Sequence, residues 1–180
     1  AQFYIEIAEQ ENTKIQTLFE YHLKEKIELV IYSDLSDLYQ TNLDLDASYT
    51  SENWSQEPKV TGQKILLYFD GNHEHAIKLL QKGLIQIYFN ALFSGTNLQE
   101  VVQKVISLKL PLWFEKGLID YLGEGWEDKD LEVLGETWNQ KLSFRKYSAK
   151  YPSIAGKSFW RYLVLTYGDQ IISNWLYMIR

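Results

Sequence analysis

The stretch Asn72–Phe93, NHEHAIKLLQKGLIQIYFNALF, constrains the fold more than any other part of the chain. Asn72 suits an N-cap, Glu74 puts a negative charge in the first turn, and Gly95 follows the end. The spacing therefore predicts a helix over 72–93. Ile77, Leu80, Leu84, Ile87, Tyr88 and Ala91 recur at helical spacing, and Leu79, Ile85, Phe89 and Leu92 widen the apolar arc. A helix this apolar is packed on most of its sides. Lys78, Lys82, Gln86 and Asn90 nevertheless fall at i, i+4 intervals and form one polar stripe along it. On a core helix such a stripe lines a cleft or meets solvent along one edge, so its chemistry bears directly on function.

The remaining segments fall on either side of this helix. Phe3–Ile7 alternates and predicts a short strand, and Ile15, Leu18, Phe19 and Leu23 predict a helix over 9–25. Glu28–Tyr32 and Lys64–Phe69 are β-branched or apolar runs of strand length. Ser33 and Asp34 cap a short helix to Tyr39, whereas 44–62 is polar, without period, and reads as a loop carrying at most one strand. Beyond the central helix, Leu98–Ser107 is amphipathic, Pro111 opens a helix closed by Gly123 and Gly125, and helices are predicted over 131–141, 154–167 and 170–179. These elements predict an α+β fold: one domain over 1–180, with a small N-terminal sheet part (1–71) packed on a helical part (72–180). A chain of 180 residues can bury a sizeable core. Because a helical pattern runs into the last residues, the chain is expected to be a fragment of a longer protein.

Composition removes several functions. The net charge is −6 and no basic stripe is present, which argues against nucleic acid as a partner. The absence of cysteine removes thiolate metal ligands, thiol nucleophiles and disulfides together. No apolar run approaches the roughly 20 residues of a membrane-spanning helix. An Ala-Gln start would suit a mature chain after signal cleavage.

Leu110–Trp126, LPLWFEKGLIDYLGEGW, supplies the second informative stretch. Together with the central helix it resembles the gluzincin-type (peptidase MA-like) zinc metallopeptidase domain, of the kind that precedes TolB-like propellers in bacterial envelope proteins. That family carries H-E-x-x-H on the first helix and W-x-x-E-G-x-x-x-Y on the second. Here Trp113, Gly117 and Tyr121 keep the second pattern, but Lys116 stands where its glutamate belongs. Aligning Asn90 and Phe93–Gly95 puts Lys82, Gly83 and Gln86 on the H, E and final H. Ser33, Asn42, Phe69–Gly71, Gly156–Phe159 and Tyr167-Gly168 extend the resemblance in order over nearly the whole chain. It implies a zincin-like scaffold, a periplasmic or envelope-associated setting, and a cleft where the active site stood.

Catalytic zinc needs three neutral or anionic donors and an open position for water. Lys82 is cationic, Gly83 has no side chain, Gln86 offers only an amide oxygen, and Lys116 adds a second cation. The expectation is therefore a pseudopeptidase with no metal, no cofactor and no catalytic residue at Lys82, Gly83, Gln86 or Lys116. Lys116 is expected to pair with Asp120 at i+4. Gly83 costs about 1 kcal/mol relative to Ala inside a helix and reads as close approach of another backbone, with room for a ligand as the other reading. A binding cleft is expected to include Leu66, Leu67, Lys82, Gln86, Lys116 and Asp120, and to take a protein or peptide. Strand addition along Lys64–Phe69, read as an edge, is one route for that partner, and other domains of the same protein are further partners. Two other readings stay open. One is a hydrolase using Asp120 and Glu124, among the carboxylates Glu115, Glu127 and Asp128, or a relocated metal site at His73 and His75. The other is a sugar-binding face built on Trp54, Trp126 and Trp138.

Overall fold

The computed structural model describes residues 2–40, 57–94 and 110–179. The fold is α+β, mostly helical with a small three-stranded sheet. The chain divides into two compact units, one of residues 1–17 with 21–90 and one of 18–20 with 91–180. The division falls near the end of the central helix. The predicted boundary at 71/72 lies before it, and the difference arises because that helix packs on the sheet.

The chain begins with α1 (Gln2–Phe19), whose residues up to Thr17 belong to the first unit. The strand expected at Phe3–Ile7 is thus the first turn and a half of a helix. Its alternation is a coincidence of five residues: Phe3 and Ile5 are exposed, whereas Tyr4, Ile15 and Phe19 supply the buried positions. β1 (Glu28–Tyr32), β2 (Lys59–Thr61) and β3 (Lys64–Tyr68) form a sheet in the order β1-β3-β2. β1 runs parallel to β3, pairing Glu28 with Lys64 through Tyr32 with Tyr68, and β2 runs antiparallel to it. β3 is therefore the central strand and not an edge, because β2 emerges from the segment read as a loop. This corrects the strand-addition expectation: Leu66 and Leu67 are buried core residues, and β2 occupies the second edge of β3 over Lys64–Leu66.

α2 (Leu35–Gln40) covers one face of the sheet, where Leu38 packs on Leu66 with Val30, Tyr32 and Tyr68 around them. The Asp34 carboxylate accepts from the Ser36 amide at 2.8 Å and fixes its start. α3 (His73–Ser94) is the predicted central helix. Asn72 Oδ1 accepts from the amides of Glu74 at 3.0 Å and His75 at 3.2 Å, as its N-cap position predicts. Ile65, which alternates with Leu66 and so faces away from α2, meets α3 at Gly83.

The second unit contains α4 (Leu112–Glu124), α5 (Asp128–Asn139), α6 (Phe144–Lys150), α7 (Pro152–Tyr167) and α8 (Gln170–Ile179). Pro111 caps α4 from outside, and of the two glycines predicted to end it only Gly125 does; Gly123 lies within the helix. α6 was absent from the sequence pattern, being only seven residues long. α4 and α7 cross with their backbones almost touching. A Cβ on Gly117 would lie 2.2 Å from the Gly156 Cα, and one on Gly156 would lie 1.9 Å from the Trp113 carbonyl oxygen. Trp160 closes the crossing, fully buried, with its indole N–H donating to the Phe114 carbonyl at 3.3 Å. Phe159 and Trp175 pack edge-on against Trp160, and Trp113 edge-on against Phe159, which is where much of the aromatic content goes. The helix expected over 98–107, Asn42, Trp54 and Gly95 lie outside the described residues.

Candidate functional site

The polar stripe of α3 has its centre at Lys82. Rather than lining an open edge, this side chain is only 2% exposed, and its ammonium lies 2.6 Å from a Glu57 carboxylate oxygen. A buried lysine without an anion would cost several kcal/mol, so the pair is what allows a cation at this depth. Glu57 stands just before β2, in the stretch whose sequence has no period. No helical or strand spacing links it to position 82, so its role was not readable in advance. Further along the stripe Lys78 pairs with Glu74 at 3.4 Å, and Gln86 and Asn90 are half-buried.

Gly83 faces the sheet. A Cβ there would lie 2.7 Å from Ile65 Cγ2 and 3.2 Å from its Cδ1. The close approach expected from a mid-helix glycine is present, but the neighbour is a side chain and not a backbone. The space beside Gly83 is filled by Ile65, which leaves no room for a ligand there.

Leu66, Leu67, Lys82, Gly83 and Gln86 belong to the first unit, and Lys116 and Asp120 to the second. Lys116 lies 3.5 Å from Asp120, the expected i, i+4 pair. Asp120 is buried and also accepts a short hydrogen bond from the Ser153 hydroxyl. Neither lysine has a lone pair to offer a metal near neutral pH, and both are held by carboxylates. The donor set that zinc needs is therefore missing from these positions, and no reaction step can be drawn through such an ion here.

The residues behind the other readings are also placed. His73 Nδ1 lies 2.8 Å from the Tyr4 hydroxyl and stacks on that ring, while His75 Nδ1 lies 2.8 Å from Asp70. The two imidazoles thus serve separate contacts. The Asn72 amide, and after it His75, holds the Asp70 carboxyl below its usual range. Among the described residues no group of three or more His, Asp or Glu side chains converges as a metal site. Glu124 and Asp130 share one cation, Lys157, at 3.6 Å and 2.5 Å, and Glu127 pairs with Lys129 at 2.6 Å. Lys157 is 1% exposed, a buried cation that the sequence reading did not single out. Its signal was a charge set among the small and apolar residues at the start of α7, with Arg161 one turn further on. Asp130 also accepts from the Glu127 amide at 2.9 Å, so one carboxylate caps α5 and neutralises α7. Trp126 lies under the Arg161 guanidinium at 4.7 Å, and Trp138 is 82% exposed. These two indoles do not form a bare flat row.

No helix among the described residues is long and apolar enough to cross a membrane. In comparisons with known proteins, no family model, curated protein or solved structure matches this chain.

Proposed function

We propose that the chain is a non-catalytic pseudopeptidase domain: a gluzincin-like, zincin-type scaffold that serves as a binding or structural module of a larger periplasmic or envelope protein. One observation carries this reading. At the position the resemblance gives to the first zinc histidine, the chain buries an ammonium against a carboxylate, Lys82 on Glu57 at 2.6 Å. Lys82 brings no lone pair to that position and its ammonium is held by an internal carboxylate, so it cannot serve as a zinc ligand. Gly83 against Ile65 and Lys116 on Asp120 support the same conclusion at the positions of the general base and the third ligand.

The partner is a protein or peptide, or a neighbouring domain of the same protein. It does not add along Lys64–Leu66 of β3, where β1 and β2 occupy both edges. Elemental analysis of the purified domain, after dialysis against zinc and again after a chelator, tests the reading. The expected result is no stoichiometric metal. One tightly held zinc per chain would overturn it and direct attention to His22, His73 and His75.

A further inference from the structure

α5 turns one side to the core of the second unit and another outward. The inward side is Asp130 and Thr137, with Val133 and Leu134 half-buried beside them. Roughly 100° around the helix from these lie Leu131, Gly135 and Trp138, at i, i+4 and i+7. Leu131 is 58% exposed and Trp138 82%, and a Cβ added to Gly135 would meet no atom within 4 Å. Past the helix end this stripe runs on to an open pocket of about 440 Å³, bordered by Trp138, Asn139, Lys141 and Leu142.

Beside the stripe, opposite the core, Asp128, Glu132 and Glu136 follow one another at i, i+4. Their neighbours Glu124, Glu127 and Asp130 are each paired with a lysine. Among the described residues no cation pairs with Asp128, Glu132 or Glu136. Like charges at this spacing weaken a helix, and Glu136 also opposes the dipole at the C-terminal end, where no basic residue offsets it. Gly135 weakens the helix further. At Gly83, Gly117 and Gly156 the same cost accompanies a neighbour packed against the missing Cβ. At Gly135 that place is open, in the middle of an exposed apolar stripe.

Charge selects what fits this face. A second copy of it brings three more carboxylates, and nucleic acid or an anionic lipid surface is repelled. A basic segment pairs with all three acids, while the exposed indole supplies the kind of side chain that anchors protein contacts. We infer that the outer face of α5 docks a basic, amphipathic helix of a partner protein. The apolar side of that helix lies on Leu131 and Trp138, with its backbone close to Gly135, and its cations face Asp128, Glu132 and Glu136. The inference rests on the binding-module reading for the existence of a partner, but not on the loss of zinc, since α5 lies apart from those positions.

The fluorescein-labelled peptide LKKLLKLLKKLLKL, a basic amphipathic helix, tests this by anisotropy on the whole 180-residue chain. It is expected to bind, more weakly as salt is raised, and its counterpart with glutamate for every lysine is expected not to. Trp138→Ala, and separately the pair Glu132→Lys with Glu136→Lys, are each expected to weaken the peptide by at least about tenfold. Charge reversal at the exposed Glu6 and Glu9 of α1 is expected to leave binding unchanged. Gly135→Gln is expected to raise the melting temperature and yet weaken the peptide, a combination that a purely structural role would not give. As a measurement needing no variant, hydrogen exchange with saturating peptide is expected to gain protection in 128–142. Absence of binding, equal binding of the acidic peptide, unchanged binding by folded Trp138→Ala, equal loss on reversal at Glu6 and Glu9, protection elsewhere, or a dimer of the chain that Trp138→Ala dissolves would each overturn the proposal. Stoichiometric zinc with these peptide results intact would overturn the pseudopeptidase reading alone.

Discussion

At residue 83 two small terms oppose each other. Alanine in place of glycine gains about 1 kcal/mol of helix propensity, but its methyl would overlap Ile65, whose β-branched side chain is stiff and sits in the core. Overpacking of this kind costs about 1–3 kcal/mol, so Gly83→Ala is expected to be destabilising overall. A fall in the urea midpoint without a change in slope checks it. Glu115 provides a case where protonation decides the sign. Burial raises its carboxyl pKa in the folded state, so the folded chain holds a proton that the unfolded chain releases. Stability from this group is therefore undiminished below the ordinary carboxylate range and is lost as pH rises through the raised value. Glu115→Gln is expected to raise the melting temperature at pH 8, with the gain vanishing near pH 3. Of the residue-scale contacts, those within a turn were legible: the Asn72 cap, and Lys116 with Asp120. Glu57 on Lys82 was not, because its two residues belong to elements that local spacing does not relate.

At the scale of elements, the α4–α7 crossing is the most demanding contact in the second unit. Gly117 and Gly156 both lie on helices, where glycine is unfavourable, and close backbone approach is the compensation. The atoms in the way of a Cβ are main-chain, so no rotamer change relieves the overlap. Gly117→Ala is accordingly expected to cost about 3 kcal/mol or more, at the upper end of overpacking, measured by chemical denaturation of the second unit's helical signal. Lys157 ties α7 to Asp130 at the start of α5 through a charge pair that would be costly to break from either side. The elements themselves were mostly legible from period: β1, β3, α3, α4, α5, α7 and α8 appear where apolar spacing placed them. α1 begins before and ends before its predicted span: the alternation over Phe3–Ile7 hides a helix that is continuous through Glu9, and it stops at Phe19, short of Leu23. β2 is only three residues long and carried no pattern of its own.

Across the whole molecule, two compact units share one chain with a net charge of −6 and no cysteine. The pseudopeptidase reading makes a prediction at this scale: the melting temperature should be the same with excess zinc and with a chelator, because a ligand bound only by the folded state would raise it by mass action. A clear zinc-dependent rise would count against that reading. The α+β class and the apolar central helix were determined by sequence alone, because residue type and period act within a few turns of chain. Only the tertiary structure decided that β3 is central, that Lys82 is neutralised by Glu57, and that Gly83 faces Ile65. Each of these depends on which distant segment arrives at a given face, and that is set by packing and pairing between elements, which local spacing does not encode.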